Sequence, residues 1–203
     1  LIQETDMLDM LAMISDVPVI DPAKPRYAGV GSRATPENIM QVMTDLAETL
    51  SEDWVLRSGH ADGADLAFEE GAVKGKGEME IFLPWRGFNG GYPGGGLILP
   101  RLTEAHFEIV RQTHPGYRWL PRSVRSLHAR NVCQVLGEDL RSPVRCVLCW
   151  TPEGKGGGGT GTAIRIANQN QIPVFDFGLS GEIEKAKLFL EALRLKEIRD
   201  DRP

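Results

Sequence analysis

The sequence predicts an α/β protein built as a Rossmann-like, doubly wound parallel sheet of about five strands, with a glycine-rich insertion after the third. Short apolar runs alternate along the chain with stretches of helical periodicity, the pattern of a parallel sheet covered by helices on both faces. Three glycine-bearing turns, "GVGSR", "SGHADGAD" and "GGGGTGT", each stand between such a run and the helix that follows. The 203 residues, 41% of them hydrophobic, suit one sizeable domain. Right-handed crossovers then favour the strand order 3-2-1-4-5.

The elements follow in order. "RYAGVGSR" (26–33) reads as the first strand. In "TPENIMQVMTDLAETL", Thr35 is placed as N-cap and Pro36 as the first helical residue, where a missing N–H costs nothing. Ile39, Val42, Met43, Leu46 and Leu50 then share one helical face. "WVLRSGHADGAD" (54–65) repeats strand and turn and passes into the helix "GADLAFEEGAVKG"; "MEIFLP" (79–84) is the third strand. Residues 85–122 break the rhythm. Their first part, "WRGFNGGYPGGGLILPR", holds six glycines and two prolines and is too long for an ordinary connection, as functional lids and mobile segments are. "SVRSLHARNVCQVLGED" (123–139) reads as a helix, "PVRCVLCW" (143–150) as the fourth strand, "GTAIRIANQNQ" as a helix and "IPVFDF" (172–177) as the fifth strand. The closing helix "SGEIEKAKLFLEALRLKEIRD" puts Ile183, Ala186, Leu190 and Leu193 on one face. Residues 1–203 read as a single domain, with 1–25 an N-terminal extension in which 4–14 suit a short amphipathic helix that packs on the domain or else meets a partner.

Composition removes several functions. The formal net charge of −5 does not suit a duplex-binding module, so nucleic acid must be argued from a local patch. Cys133, Cys146 and Cys149 make no disulfide framework and fit a reducing, cytoplasmic compartment. Cys146 and Cys149 have CxxC spacing, but in a strand an offset of three puts them on opposite faces, so no metal site is expected. No apolar run approaches the roughly 18 residues of a membrane span, and the acidic start "LIQETDMLDMLAMISDV" has no basic n-region of a secretory signal. No cofactor is expected.

In a doubly wound sheet the first and fourth strands are neighbours where the order reverses, and their carboxyl ends open the crevice that takes ligands. The second strand lies beside the first, so the three turns should converge there. Glycine lets the backbone approach where side chains cannot, and helix N-termini offer unpaired amides with partial positive charge, which suits a phosphate. The ligand-binding candidates are Gly31, Ser32 and Arg33 in the first turn. Ser58, Gly59, Asp62 and Gly63 stand in the second, and Thr151, Gly158, Gly159, Thr160, Gly161 and Thr162 in or before the third. Gly159 is expected to matter most, because a branched Cβ would fill the space a phosphate needs and would be strained if the residue has φ > 0, while valine at Gly156, at the outer end of the run, should do much less. Asp62 and Asp65 are candidates for ribose binding or for acid/base work on a glycosidic bond, against helix capping by Asp62. Glu69 and Glu70 read as surface residues, and His60 as a ligand contact or a turn filler. His106 and His114 read as solvated. Arg130 and Asn131, on the helix before the fourth strand, reach the crevice or bond a loop. From Arg118 to Arg145 six arginines (118, 122, 125, 130, 141 and 145) face only Glu138 and Asp139, a solvated face or a nucleic-acid footprint. Trp85, Arg86, Phe88 and Tyr92 either stack on a base or form a small satellite core. Two familiar phosphate motifs fail. GxxxxGK[ST] is absent, and a GxGxxG begun at Gly29-Val30-Gly31 meets Ala34 where its third glycine should fall.

"AGVGSR", "LRSGHADGADLAFEEGA" and "GGTGTAIRIANQNQIPVF" resemble the SLOG superfamily. It includes the DNA-processing protein DprA (Smf) and the LOG nucleotide phosphoribohydrolases. "HARNVCQVLGEDL" and "CWTPEG" are similar to DprA-like Rossmann proteins encoded by bacteriophages. The resemblance covers roughly residues 26–178. It implies a Rossmann-like fold, a homodimer or higher homo-oligomer, a nucleotide or nucleotide-derived ligand, and the cytoplasm, that of the host if phage-encoded. Two departures stand out. LOG enzymes carry PGGxGTxxE with a catalytic Glu, and here Arg165 occupies the Glu position and the proline is missing. DprA proteins bind single-stranded DNA, yet no winged-helix appendage is read in this chain. Nucleotide binding is therefore the leading expectation. A nucleotide N-glycosidase using Asp62, Asp65 or Glu69, and a single-stranded DNA binder using the arginine segment, are the alternatives.

Overall fold

The computed structural model describes residues 24–200. Six strands are found: β1 (Arg26–Gly31), β2 (Val55–Ser58), β3 (Met79–Phe82), β4 (Leu97–Ile98), β5 (Cys146–Trp150) and β6 (Val174–Asp176). Six α-helices accompany them: α1 (Glu37–Leu50), α2 (Ala64–Lys74), α3 (Glu104–Thr113), α4 (Arg122–Leu136), α5 (Gly158–Gln169) and α6 (Glu182–Asp200). The strands are all parallel, in the order β4-β3-β2-β1-β5-β6.

The five expected strands take their expected places, and the sixth corrects the count. β4 lies inside the insertion and pairs Leu97 with Ile81 and Ile98 with Phe82. Two residues between a glycine turn and Leu99-Pro100 carry too little pattern to be read as a strand; the exposed edge of β3 recruits them. The insertion also holds α3, whose Thr103 and His106 form a reciprocal capping box. The His106 ring is thereby buried, at 1% exposure, rather than solvated.

Each face of the sheet has its own core. On one, Met43 and Leu46 of α1, Phe68 of α2 and Phe189 of α6 pack against Leu56, Cys146 and Leu148. On the other, Val110 of α3, Val132 of α4 and Ile166 of α5 pack against Ala28, Val30, Val147 and Cys149. Cys146 and Cys149 therefore point to opposite faces, as strand periodicity requires.

Two helix starts differ from expectation. α1 begins at Glu37 with Pro36 as N-cap, and the Thr35 hydroxyl instead donates to the Ser32 carbonyl at 2.7 Å, fastening the first turn. α5 begins at Gly158, so "GGTG" is its first turn rather than the loop before it. Among the described residues no helix is long and apolar enough to cross a membrane. The helix expected over residues 4–14 lies outside the described residues.

Candidate binding cleft

The topology brings the three glycine turns together. Gly31 and Trp150, the last residues of β1 and β5, are register partners where the strand order reverses. The Ser32 amide donates to the Trp150 carbonyl at 3.1 Å, and the Gly31 amide donates to Asp65 Oδ1 at 3.1 Å. Gly63 has φ +83°, and a Cβ on it would lie 2.6 Å from the Ser32 carbonyl oxygen, so only glycine lets the second turn close on the first. A cleft of about 840 Å³ opens over this junction. Gly31, Ser32 and the exposed Arg33 form one part of its wall, Gly156 to Thr160 another, and Val124, Leu127, His128 and Asn131 of α4 a third.

The glycine run is built differently from the sequence expectation. Gly156 and Gly158 have φ +61°, whereas Gly159 does not lie in the left-handed region. The outer glycine is thus the constrained one, because the chain reverses there before α5 begins. A Cβ on Gly157 or Gly158 would meet no heavy atom within 4 Å, so these residues border open space. The first-turn amides of α5 have no partner within the helix, and its dipole favours an anion at this end. Two anchors hold the run. Asn131 Nδ2 donates to the Gly159 carbonyl at 3.0 Å. Thr151 Oγ1 accepts from the Gly156 amide at 3.0 Å, while the buried Asp176 carboxylate takes the Thr151 hydroxyl and, at 2.8 Å, the Thr151 amide. Gly161 and Thr162 do not line the cleft. A Cβ on Gly161 would sit 1.8 Å from the Gly156 carbonyl oxygen, and Thr162 is buried against His128 and Arg165. Gly161→Val is accordingly expected to displace the run and cost about 1–3 kcal/mol in stability. Gly157→Ala should stay within about 0.5 kcal/mol. Thermal melting of both variants is the check, and matching curves would mean that the run is a plain linker.

Beneath the cleft lies a buried polar floor. Asp65 and Arg130 are 4% and 1% exposed, with Arg130 Nη1 3.8 Å from Asp65 Oδ2. The guanidinium sits 5.7 Å from the Phe88 ring centroid and fills the space over Gly59, where a Cβ would overlap Nη1. With its amide oriented to suit its neighbours, Gln134 accepts from Arg130 Nη1 at 3.1 Å and from the Gly59 amide at 3.0 Å. Burial pushes the pKa of Asp65 up to about 7, with Arg130 and the Gly31 amide pulling it back and Glu69 pushing it further up. Glu69 is buried rather than on the surface. It accepts from the His60 amide at 2.9 Å and pairs with His60 Nδ1 at 2.7 Å. Its pKa too is raised by burial, against the pull of His60. Glu70 is exposed and pairs with Lys74. Asp65 and Glu69, four apart, share the inward face of α2.

Other candidates fall outside the cleft wall. Asp62 is exposed and accepts from Asn89 Nδ2 of the insertion at 3.0 Å; it does not cap α2, whose N-cap is Gly63. Ser58 is fully buried and donates to the Gly29 carbonyl at 2.7 Å. Phe88 is buried beside Trp85, edge to face at 5.2 Å, while Tyr92 is 62% exposed. The arginine segment is divided. α4 runs antiparallel to the strands, so Arg118, Arg122 and Arg125 lie toward the cleft end of the sheet. Arg141 and Arg145 lie toward the other, where the Arg145 amide donates to the Arg26 carbonyl. Arg130 lies in the floor between them. The structure also adds residues not expected at the site: His114, His128, Gln134 and Arg165 line the cleft. The signal available for α4 was helical spacing, since 124, 127, 128, 131 and 134 make one face.

No protein-family model matches the chain, and no curated protein matches it. Solved structures do resemble it. DNA processing protein A of Helicobacter pylori, whose structure describes its single-stranded DNA binding, is 16% identical over 87% of this chain and 82% of its own, with a TM-score of 0.48. The molybdenum cofactor carrier protein of Chlamydomonas reinhardtii is 18% identical over 83% and 86%, with a TM-score of 0.47. DNA processing protein A of Streptococcus pneumoniae is 21% identical over 79% of this chain but only 55% of its own, with a TM-score of 0.48. These likenesses concern the path of the chain and transfer no residue's role.

Proposed function

We propose that the chain binds a nucleotide or nucleotide-derived small molecule in this cleft. The observation that carries the reading is the open glycine run at the N-terminus of α5, bordering the same cavity as Ser32 and Arg33 at the switch point of the sheet. A phosphate there meets backbone amides and the exposed guanidinium of Arg33. Asp65 and Asn131 offer partners for sugar hydroxyls, and Val124 and Leu127 offer an apolar wall for a base. Arg33→Ala should weaken binding of adenosine monophosphate by about 1.5–3 kcal/mol, roughly ten- to a hundredfold, and leave adenosine nearly unaffected. Calorimetry on both ligands tests this, and equal losses would overturn it.

A second reading rests on Asp65. A buried carboxyl on the cleft wall that titrates near neutrality can give or take a proton at a glycosidic bond, whereas the exposed Asp62 lies outside the wall. An N-glycosidase would release free base from nucleoside monophosphates, and Asp65→Asn would end that release. Absence of free base with the unaltered protein leaves binding as the function.

A further inference from the structure

One end of the cleft carries charge that a single phosphate at the glycine run leaves unused. His114, just after α3, His128 of α4 and Arg165 of α5 all line it. The two imidazoles lie with ring centroids 4.6 Å apart at an interplanar angle of 57°. His114 Nδ1 accepts from the Gly116 amide at 3.1 Å, which leaves the proton of the neutral ring on Nε2. His128 Nδ1 is 2.9 Å from Thr162 Oγ1, and Arg165 Nη2 donates to that same hydroxyl at 3.1 Å. Arg165 Nε donates to the Thr113 carbonyl at 2.8 Å, so the guanidinium is held in place. Three packed elements thus converge three nitrogen-bearing side chains on one patch of cavity wall.

The groups bearing on His128 are His114, Arg165 and Arg130, and Arg165 also bears on His114; the two arginines are cationic and the imidazoles become so when protonated. Burial first, and these neighbours after it, hold both histidines below the ordinary imidazole value, His128 at about 4; for His114 the neighbour is Arg165. An anion in the cleft would reverse that balance, since an opposite charge nearby favours the protonated ring. Thr162 stands four residues beyond Gly158, about 6 Å along the helix axis. The patch is therefore near the glycine run yet separate from it.

We propose that His114, His128 and Arg165 form a second anion subsite, so that the ligand of this cleft carries a phosphoryl group at each of two places, as a nucleoside bisphosphate or a dinucleotide does. The ligand class rests on the nucleotide reading; the subsite stands on its own residues. Binding at the subsite takes up protons and strengthens as pH falls from about 6.5 toward 4, the range between the ordinary imidazole value and that of His128.

Two measurements test the proposal and separate its failure from that of the nucleotide reading. In imidazole nitrogen NMR, inorganic phosphate should move the signals of His114 and His128 and raise both pKa values by about 1 or more. Arg165→Met and, as a milder variant, His114→Gln should lose the response of the remaining ring or rings. In calorimetry at pH 5, adenosine 3′,5′-bisphosphate should bind about tenfold or more tighter than adenosine monophosphate, and the ratio should fall to about one in both variants. A pyrophosphate-linked dinucleotide, run beside the bisphosphate, shows whether the second phosphoryl group is terminal or internal. Unchanged histidine titration in phosphate, or a bisphosphate advantage that survives both substitutions, overturns the subsite. If adenosine monophosphate fails to bind while phosphate still raises the histidine pKa values, the nucleotide reading falls and the subsite stands.

Discussion

Arg130→Met is expected to lower stability by about 3–5 kcal/mol at pH 8, and by clearly less at pH 5. Methionine keeps much of the volume over Gly59 and against Phe88, so the loss is chiefly that of a buried cation. At pH 8 its removal leaves the Asp65 and Glu69 carboxylates facing each other in a dry site. At pH 5 Asp65, titrating at about 7 even with Arg130 present, holds its proton and needs no counter-charge. Urea unfolding at the two pH values measures the difference. Equal losses at both would mean that Arg130 acts by packing alone.

Asp65→Asn tests the same pair from the other side. The folded-state pKa of Asp65 lies above its ordinary value of 3.8, so ionisation opposes folding: the folded form binds more protons than the unfolded one between about pH 4 and pH 7. The penalty is absent below pH 4, grows through that window and is complete above pH 7. Asparagine does not titrate and still accepts from the Gly31 amide. From pH 4 to pH 8 the variant should therefore gain on the unaltered protein by up to about 4 kcal/mol, whatever their difference at pH 4. His128, depressed to about 4, contributes the opposite slope, with stability rising as pH rises from about 4 to 6.5. It does so in both proteins and cancels in the comparison. A difference that stays level with pH would place Asp65 in contact with water and remove the reason to assign it proton transfer.

The frame of the molecule was legible in the chain. Apolar runs alternating with helical stripes, three of the junctions being glycine turns, suffice for a parallel sheet, and right-handed crossovers leave few orders for its strands. Cys146 and Cys149 went to opposite faces because strand periodicity allows nothing else. The meeting of "GVGSR", "SGHADGAD" and "GGGGTGT" at one end of the sheet follows from the same topology, and the Gly31–Asp65 and Ser32–Trp150 hydrogen bonds show it.

What periodicity could not report was the direction and partner of each polar side chain. Asp62 and Asp65 are alike as sequence, one on each side of Gly63-Ala64. Only the left-handed φ at that glycine, forced by the Ser32 carbonyl, turns Asp62 out toward Asn89 and starts α2 so that Asp65 and Glu69 face inward. Glu69 looked like a surface residue because its partner is the bent backbone and ring of His60, which itself sits at φ +60°. His114, His128 and Arg165 are far apart in the chain and met only when α3, α4 and α5 packed together on the sheet. The sequence by itself determined where a cleft must open and that backbone would line it, since these follow from local pattern and chain handedness. The tertiary structure alone decided which charges face that cleft and what protonation they favour, since burial and Coulomb interactions depend on neighbours brought together by folding.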